Sequence, residues 1–329
     1  EGLRVVEDFL RFALDDAHLT TLCKQLRHDL AEALKSIPSP DLHAARDTQS
    51  DVGTAITAPA EFQRPDTPAV VAASLKRVEQ ALRSLEEYGK VLDPQFGALL
   101  EQLRYRAYIL ERAIDLTRAS AERLAHARLY VLIDGRSSLD DFNWLVQSLI
   151  EVGVHVLQLR DKRLTDRELV GRARRLRELT RETQTLAIIN DRPDIARLVD
   201  ADGVHVGQDE LSVKDVRTIV GPRALVGVST HSIQQARAAV LDGANYLGVG
   251  PTFRSTTKDF ASLAGVELLR AVSAEICLPA FAIGGITLEN IGPVLATGIS
   301  RVAVSAAIAD ALDPVDTARQ FIRRLTADL

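Results

Sequence analysis

Residues 154–160 read VHVLQLR, a short apolar run that ends in polar and cationic side chains. A similar run, RLYVLID, precedes it at 128–134, and TLAIIND follows at 185–191. Apolar runs of this length, separated by amphipathic stretches, are typical of parallel strands that are buried on both faces. The stretch 128–191 therefore predicts a chain in which strands alternate with helices.

The same alternation continues through the rest of the sequence. Five further runs are GVHVG (203–207), LVGVST (225–230), YLGVGP (246–251), PAFAIGG (279–285) and RVAVSAAI (301–308). Successive runs begin 18 to 33 residues apart, which fits one strand, one helix and two turns. Eight such units predict an α/β fold, a (β/α)8 TIM barrel over residues 126–329. An open doubly wound sheet is the alternative, but LIDGRSSL after the first run lacks the glycine-rich dinucleotide pattern.

Residues 1–125 contain no convincing strand and predict an all-α helical domain that precedes the barrel. Apolar residues recur at helical spacing in 2–36 and 70–89, and 95–125 forms a third helical stretch. Gly89 is the expected residue just after the second helix. The proline-containing segment 37–68 predicts a long loop, which inside a compact domain is usually functional or disordered.

Composition excludes several classes of protein. Apolar residues make up 46% of the chain and the formal net charge is −5, so nothing indicates a nucleic-acid partner. No apolar run approaches the roughly 18 residues that span a membrane, and no signal-peptide pattern is present. The two distant cysteines, Cys23 and Cys277, are expected to be reduced thiols in a cytoplasmic protein. The chain begins at Glu1 within a helical pattern and has no Met, so we expect its natural N-terminus to be missing.

Polar side chains follow almost every predicted strand. Because active sites of barrels lie at the C-terminal ends of the strands, these residues are expected on one rim. The set comprises Gln158, Arg160, Asp161, Lys162, Asn190, Asp191, Gln208, Asp209, Glu210, Ser229, Thr230, His231, Ser255, Thr257, Lys258, Gly284, Gly285 and Ser305.

The residue types at this rim predict two anion sites and one divalent cation. Arginine and lysine bind phosphate oxygens, and bare glycine amides and hydroxyls add neutral donors. Asp191 would repel Asp209 or Glu210 unless a cation lay between them, and Mg²⁺ is the expected ion. The alternative for Asp191 is a cap of the helix near Pro193. His155 and His205 are interpreted as hydrogen-bonded core residues within strands, not as bases.

The motifs at the rim are similar to those of thiamine phosphate synthases. Residues 128–327 carry QLRDK, IINDR, GVHVGQ, GVSTH, GVGPTF, STTK, AIGGI and VSAAI in the family's order on consecutive strands. The resemblance implies that hydroxymethylpyrimidine diphosphate loses pyrophosphate in a dissociative, Mg²⁺-assisted step. The nitrogen of hydroxyethylthiazole phosphate then takes its place, giving thiamine phosphate.

The resemblance also implies a role for each matched position. Arg160, Ser229 and Lys258 would be catalytic, and Asp191 would bind Mg²⁺ with Glu210 or Asp209. Substrate-binding residues would be Gln158, Arg160, Lys162, Asn190, Ser229 and Lys258 on the pyrophosphate side, and Ser255, Thr257, Gly285 and Ser305 at the thiazole phosphate. Two positions depart from the family pattern: GQDE puts Glu210 where the family has Asp, and Ser255 stands for Thr.

The helical region resembles a domain fused to some bacterial thiamine phosphate synthases, proposed to be an alternative hydroxymethylpyrimidine-phosphate kinase. The resemblance rests on EGLRVVEDFLRF, RHDL, ARDTQSDVGT, LRSLEEYGK and EQLRYRAYILE. A kinase would bind ATP, yet no GxxxxGK[ST] loop is present. A polar site could be formed by Arg4, Arg46, Asp47, Asp51, Thr54, Arg83 and Arg104. The alternative is a solvated helical bundle that forms a homodimer.

Two other functions stay open for the barrel. A thiazole tautomerase shares the fold but needs no pyrophosphate site. Retention of all the residues assigned to that site argues against it: Gln158, Arg160, Lys162, Asn190, Asp191 and Lys258. A non-catalytic binding or regulatory protein is the third reading, and its one support is the change to GQDE.

Overall fold

The computed structural model describes residues 1–45, 49–51, 56, 63–254 and 263–327. The chain divides into two compact units, Glu1–Asp115 and Leu116–Leu329. Among the described residues, none of the helices combines the length and the apolar character needed to cross a membrane.

Among its described residues the first unit contains helices joined by turns and no strand, as the sequence predicts. Its elements are α1 (Gly2–Phe9), a π-helical turn (Leu10–Leu14), α2 (Ala17–Ala33), a 3-10 turn (Leu34–Ser36), α3 (Ser39–Ala44), α4 (Thr67–Leu92) and most of α5 (Pro94–Arg123). The predicted helical stretch 2–36 is interrupted, because Asp15 adopts a left-handed conformation with φ 55°. Asp16 then begins α2 by accepting a hydrogen bond from the Leu19 amide at 2.7 Å.

The prediction that Gly89 ends the second helix is wrong, since α4 continues to Leu92. Gly89 is buried, and a Cβ there would lie 2.7 Å from the Phe96 ring. Glycine therefore serves the close approach of α5 to α4 and does not mark the helix end. Helix α3 also occupies part of the segment that the sequence predicts as a loop.

The second unit contains eight strands, which alternate with helices along the chain. The strands are β1 (Leu129–Ile133), β2 (Val156–Leu159), β3 (Leu186–Asn190), β4 (Gly203–Val206), β5 (Leu225–Thr230), β6 (Tyr246–Val249), β7 (Ala280–Ile283) and β8 (Val302–Val304). The helices are α6 (Leu139–Glu151), α7 (Asp166–Thr180), α8 (Pro193–Leu198), α9 (Val213–Val220), α10 (Ile233–Asp242), α11 (Gly265–Glu275), α12 (Ile291–Leu295), α13 (Ala306–Ala309) and α14 (Pro314–Thr326).

All eight strands pair in parallel in sequence order, and β8 returns to β1 to close the barrel. This confirms the predicted TIM barrel and excludes the open sheet. Several helices that follow strands start at side-chain caps, for example Ser138 before α6 and Thr165, which forms a capping box with Glu168 before α7. Closure brings the C-terminal ends of all strands onto one rim, which we call the C-terminal rim.

The barrel interior is filled by large side chains from alternate strand positions. Tyr130, Tyr246 and Phe281 pack with ring centroids 5.3 to 5.9 Å apart, in tilted and edge-to-face arrangements that aromatic pairs favour. Leu124 and Ala127, which precede β1, belong to the same buried cluster. This packed layer forms the floor beneath the C-terminal rim.

The division between the units falls inside α5, whereas the sequence interpretation placed the domain boundary after residue 125. Ser120, near the end of α5, accepts a hydrogen bond from Asn245 at 3.0 Å, and both groups are buried. The end of this helix thus belongs to the barrel's base. The assignment of separate functions to 1–125 and 126–329 stays a prediction.

Glycine at position 227 is required by the barrel interior, and its substitution is expected to destabilise the protein. A Cβ there would lie 2.1 Å from Cζ of Tyr246 and 2.5 Å from Nδ1 of His205, which belong to two buried rings. We expect Gly227→Ala to lower the free energy of unfolding by about 1–3 kcal/mol. Thermal and denaturant unfolding of the full chain measures this.

Gly171→Ala is the matched control, because residue 171 lies in α7 and a Cβ there meets nothing within 4 Å. This change should leave stability equal or raise it by up to about 1 kcal/mol through helix propensity. Equal stability of the Gly227→Ala protein and the parent would contradict the steric argument.

Candidate active site

A string of amide and carboxylate groups links the ends of β2 and β3. Gln158 is only 2% exposed, and its Nε2 donates to Oδ1 of Asn190 at 3.2 Å. Nδ2 of Asn190 donates in turn to Oδ2 of Asp191 at 2.6 Å. Three residues singled out from separate sequence motifs are therefore adjacent and hold one another in place.

Asp191 stands at the centre of this edge in an uncommon conformation. Its φ of 57° lies in the left-handed region, and its amide donates to the carbonyl of His205 at 2.8 Å. Helix α8 begins after Arg192 with no side-chain cap, so the alternative that Asp191 caps this helix is wrong. Left-handed conformations of residues other than glycine are costly, and they cluster at functional sites.

Charged neighbours of both signs affect the pKa of Asp191. Burial raises the pKa of the Asp191 carboxyl, and the nearby Glu210 carboxylate raises it further. Lys162, the Asn190 hydrogen bond and Arg160 act in the opposite sense and lower that pKa. Glu210 is the neighbouring carboxylate that acts on the pKa of Asp191. This arrangement, two carboxylates flanked by two cations, fits a divalent cation.

Arg160 and Lys162 differ from their neighbour Arg163 in what they contact. Arg163 is paired with Asp161 at 2.9 Å and with Asp134 at 2.7 Å, and Arg163 lowers the pKa of Asp161 to about 2. Asp161 therefore serves an ion pair and is not available to a ligand at the rim. Within the described parts of the chain, Arg160 and Lys162 have no side-chain hydrogen bond and no salt bridge. Two cations are thus held at the rim without a carboxylate partner.

A chain of hydrogen bonds runs from the barrel interior to Ser229. The hydroxyls of Tyr130 and Tyr246 lie 3.1 Å apart, and the Tyr246 hydroxyl lies 3.3 Å from Nδ1 of His205. Nε2 of His205 lies 2.9 Å from Oγ of Ser229. Burial lowers the pKa of His205 to about 4, so the ring is neutral at physiological pH. The prediction that His205 is a hydrogen-bonded core residue is confirmed.

His155 and Gln208 have supporting positions. His155 lies just before β2 and not within it, and its Nδ1 accepts a hydrogen bond from the Leu129 amide at 3.2 Å. Nε2 of Gln208 donates to the carbonyl of Ser229 at 2.6 Å. The loop after β4 therefore braces the end of β5, where Ser229 lies.

The ends of β7 and β8 present backbone groups. Gly284 and Gly285 have φ values of 100° and 63°, and a Cβ at residue 285 would lie 2.2 Å from the carbonyl oxygen of Arg254. Only glycine fits at position 285. Asn290 donates to the Gly285 carbonyl at 2.8 Å, and Oγ of Ser305 donates to the Leu132 carbonyl at 3.3 Å. Ser305 follows β8 and precedes α13 directly.

Three predicted site residues, Ser255, Thr257 and Lys258, lie outside the described residues. Sequence reasoning missed the contributions of Tyr130, Tyr246 and Asn290. The two tyrosines lie in apolar runs and resemble ordinary strand residues in the sequence. Their hydroxyl groups meet only because strands far apart in sequence come together in the barrel. Asn290 carried no motif that could have identified it.

Fold and site together define a class of protein. A closed (β/α)8 barrel whose C-terminal rim carries glycine turns, neighbouring carboxylates and cations without a salt bridge to the described residues is typical of enzymes that bind phosphate esters with a divalent cation. The chain belongs to the thiamine monophosphate synthase family, whose model matches residues 129–308. Residues 1–113 match the ThiD2 family.

Relatives and a solved structure support this membership over most of the chain. The thiamine-phosphate synthase of Rhodopirellula baltica is 46% identical over 94% of this chain and 85% of its own length. That of Synechocystis sp. is 41% identical over 99% of this chain and 93% of its own. The thiamine phosphate pyrophosphorylase from Pyrococcus furiosus superposes with a TM-score of 0.57 at 33% identity, covering 62% of this chain and 97% of that one.

The neutral state of His205 predicts an acid-sensitive stability. The pKa of His205 is about 4 in the folded protein and 6.5 without burial, so the unfolded chain binds the proton more readily between these values. Stability is therefore full above pH 6.5 and falls as the pH drops towards 4, by up to about 3 kcal/mol.

A His205→Gln variant keeps a polar side chain but loses this titration. We expect its unfolding free energy, measured from pH 7 to pH 4.5, to depend less on pH than the parent's. His126→Gln, a change at an exposed residue, is the control and should keep the parent's dependence. The prediction fails if the His205→Gln protein shows the same slope as the parent.

Proposed function

We propose that the chain condenses hydroxymethylpyrimidine diphosphate with hydroxyethylthiazole phosphate to form thiamine phosphate and pyrophosphate. Relatives that carry the name thiamine-phosphate synthase match nearly the whole chain. The observation that carries the proposal is the pair of cations, Arg160 and Lys162, next to the Gln158–Asn190–Asp191 string. Cations without carboxylate partners in a partly buried site favour an anionic ligand.

The chemical demands of this reaction agree with these side chains. The bond between the pyrimidine methylene carbon and the pyrophosphate oxygen breaks, and the thiazole nitrogen forms a new bond to that carbon. The electron pair of the broken bond leaves with pyrophosphate, so negative charge grows on the leaving oxygen. Arg160 and Lys162 stabilise this charge more than that of the bound diphosphate, which is how electrostatic catalysis lowers a barrier. No strong base is needed, because the thiazole nitrogen attacks through its own lone pair.

Gln158 and Asn190 act in this proposal as fixed donors. Each amide donates one hydrogen bond within the string, at 3.2 and 2.6 Å, and this bond sets the orientation of the remaining N–H. Fixed donors do not have to reorganise as charge develops, and this makes them more effective than solvent. Arg160 and Lys162, which follow Gln158 in chain order, provide charge at the same edge.

Asp191 and Glu210 are the proposed magnesium ligands. Their mutual electrostatic effect on the Asp191 pKa favours Glu210 over Asp209 as the second carboxylate. Mg²⁺ held there would neutralise part of the charge on the leaving pyrophosphate. Among the described residues no group of three or more His, Cys, Asp or Glu side chains surrounds a common point. Such an ion would therefore take its other ligands from phosphate and water, as Mg²⁺ commonly does.

Ser229 and the glycine turn complete the proposed substrate site. The hydrogen bond with His205 sets the orientation of the Ser229 hydroxyl. Because the His205 ring is neutral, it adds no charge to the site. Gly285, held by Asn290, and Ser305 are the backbone donors proposed for the thiazole phosphate. Ser255, Thr257 and Lys258 join these groups by resemblance to the family motif alone.

A direct assay tests the proposal and its metal ligands. Full-length protein with both substrates and Mg²⁺ should form thiamine phosphate and pyrophosphate. We expect Arg160→Ala and Asp191→Asn each to lower turnover by about a hundredfold or more, because each removes charge stabilisation at the reacting groups. Glu210→Gln should raise the Mg²⁺ concentration needed for half-maximal activity, whereas Asp209→Asn should change it little.

Arg167→Ala, at an exposed position on α7, is the control for loss of a positive charge. Absence of product from folded protein would overturn the function. Activity that persists in Asp191→Asn at unchanged Mg²⁺ dependence would overturn only the ligand assignment. If Asp209→Asn alters the Mg²⁺ requirement and Glu210→Gln does not, Asp209 and not Glu210 is the second metal ligand.

For the helical unit we propose phosphorylation of hydroxymethylpyrimidine phosphate with ATP, which would supply the diphosphate substrate. The match of residues 1–113 to the ThiD2 family supports a role beyond that of a spacer. The alternative is a homodimerisation module. The ion pairs of Arg83 and Arg104 favour a structural role for those two side chains, since both reach the buried Glu86 at 2.9 and 2.7 Å.

Arg4 is the remaining described arginine among the residues considered for a polar site on this unit. It lies 3.3 Å from the buried Glu7, which Arg27 also contacts at 2.9 Å. Arg46, Asp47 and Thr54 lie outside the described residues.

Replacing the diphosphate by hydroxymethylpyrimidine phosphate and ATP tests the kinase. Thiamine phosphate should form, together with ADP, without any added kinase. Asp191→Asn protein should still release ADP but form no thiamine phosphate, which separates the two activities. No ADP formation from a folded parent protein would reject the kinase, and a concentration-dependent dimer in sedimentation would then favour the dimerisation module.

A further inference from the structure

A cavity of about 510 Å³ lies at the opposite end of the barrel from the proposed active site. Its wall includes Asp202, just before β4, and Ala224, just before β5, so it opens at the N-terminal ends of these strands. The remaining wall comes from the ends of α7, α8 and α9 and from the last residue of α5. The volume is within the range of pockets that hold small ligands.

The cavity wall carries an excess of positive charge. Its charged residues are Arg123, Arg177, Arg197, Arg223, Asp200 and Asp202. Four arginines therefore face two aspartates. Residues at the N-terminal face of a barrel usually contribute to its stability. Positive charges crowded together repel one another and lower that stability. The excess calls for an explanation other than packing.

Two of the arginines are partly occupied by structural contacts. Arg123 donates to the carbonyl of Arg223 at 2.6 Å, and Arg177 lies 3.3 Å from the carboxylate of Asp202. Asp202 also accepts from the Ala187 amide at 2.9 Å, so its charge is shared. Nε of Arg177 is buried and has no hydrogen-bond partner among the described residues.

Arg197 and Arg223 complete the wall without such contacts. Both are exposed, and neither side chain has a hydrogen bond or salt bridge to the described residues. Burial lowers the pKa of Arg123, and burial together with Arg123 lowers the pKa of Arg217, which lies behind the wall. The positive charges at this end of the barrel are thus close enough to affect one another.

We propose that this cavity is a second anion site, which binds the diphosphate group of a small molecule. Arginine's planar fork matches phosphate oxygens in pairs, and several arginines around one cavity suit a group with more than one phosphate. The cavity is larger than pyrophosphate alone, so it also accommodates a diphosphate ester. The site is separate from the rim residues Arg160 and Lys162, and it does not depend on the proposed catalytic function.

Calorimetric titration of full-length protein with inorganic pyrophosphate and with ADP, in the absence of Mg²⁺, tests this site. The background is Arg160→Ala/Lys162→Ala, which removes the two described cations of the proposed active site. We expect this protein to bind at least one of the two probes at the cavity, in addition to any ADP bound at the ATP site proposed for the helical unit. Adding Arg197→Glu and Arg223→Glu should weaken that binding by about tenfold or more, because two charge-assisted contacts become repulsive.

Arg174→Glu in the same background is the matched control, since residue 174 is an exposed arginine of α7 outside the cavity wall. It should change the affinity by less than about twofold, the effect of a surface charge. Absence of binding for both probes in the background protein would overturn the site. Equal binding by the Arg197→Glu/Arg223→Glu and Arg174→Glu proteins would also overturn it. Failure of the proposed function would instead appear as missing turnover in the parent, with binding here unaffected.

Discussion

The interior of the barrel has room for Tyr246 and His205 only because residue 227 has no side chain. The Tyr246 ring is fully buried, and the His205 ring lies beside it with centroids 5.5 Å apart. Gly248 gives the same relief on the neighbouring strand, where a Cβ would lie 3.1 Å from the His205 ring. Packing in a closed barrel permits little adjustment, so these small positions determine where the large rings lie. The rings in turn carry the hydroxyl and imidazole groups that end at Ser229.

The rim above this layer sorts its charged residues into two groups. Asp161 and Asp134 both pair with Arg163, and Arg136 also contacts Asp134 at 3.3 Å, so these four side chains form one connected set of ion pairs. Arg160 and Lys162 stay outside this set, although they are neighbours in sequence. Pairing of Asp161 with Arg163 removes the carboxylate that would otherwise lie nearest to them in sequence. The structural ion pair thereby leaves the two cations available to an anionic ligand.

The strands could be predicted closely because a strand buried on both faces needs a continuous apolar run. The run at 225–230 corresponds to β5 at both ends, and the run at 185–191 exceeds β3 by one residue on each side. The clustering of polar groups at one rim followed from topology, since parallel strands in a closed barrel end together. That reasoning brought Gln158, Asn190 and Asp191 to one place without any knowledge of their contacts.

Other features depend on contacts between distant segments, which a single sequence does not encode locally. Glycine is common just after the end of a helix, but Gly89 lies within α4 and allows Phe96 of the next helix to approach closely. The choice between Asp209 and Glu210 depends on which of the two carboxylates lies near Asp191. The two residues are adjacent in one loop, and only the conformation of that loop distinguishes them. The break at Asp15 is equally hidden, because the apolar spacing on either side continues as in a helix.

The overall charge of −5 would by itself disfavour anionic ligands, yet both ends of the barrel present cations. Salt limits the reach of exposed charges to about 8–10 Å, so a distant carboxylate has little influence on a ligand in a cavity. Local composition then decides what is bound. At the rim, two cations face two carboxylates and the balance fits an anion accompanied by a divalent metal. At the opposite end, four arginines face two aspartates, and the balance fits an anion that binds without a metal.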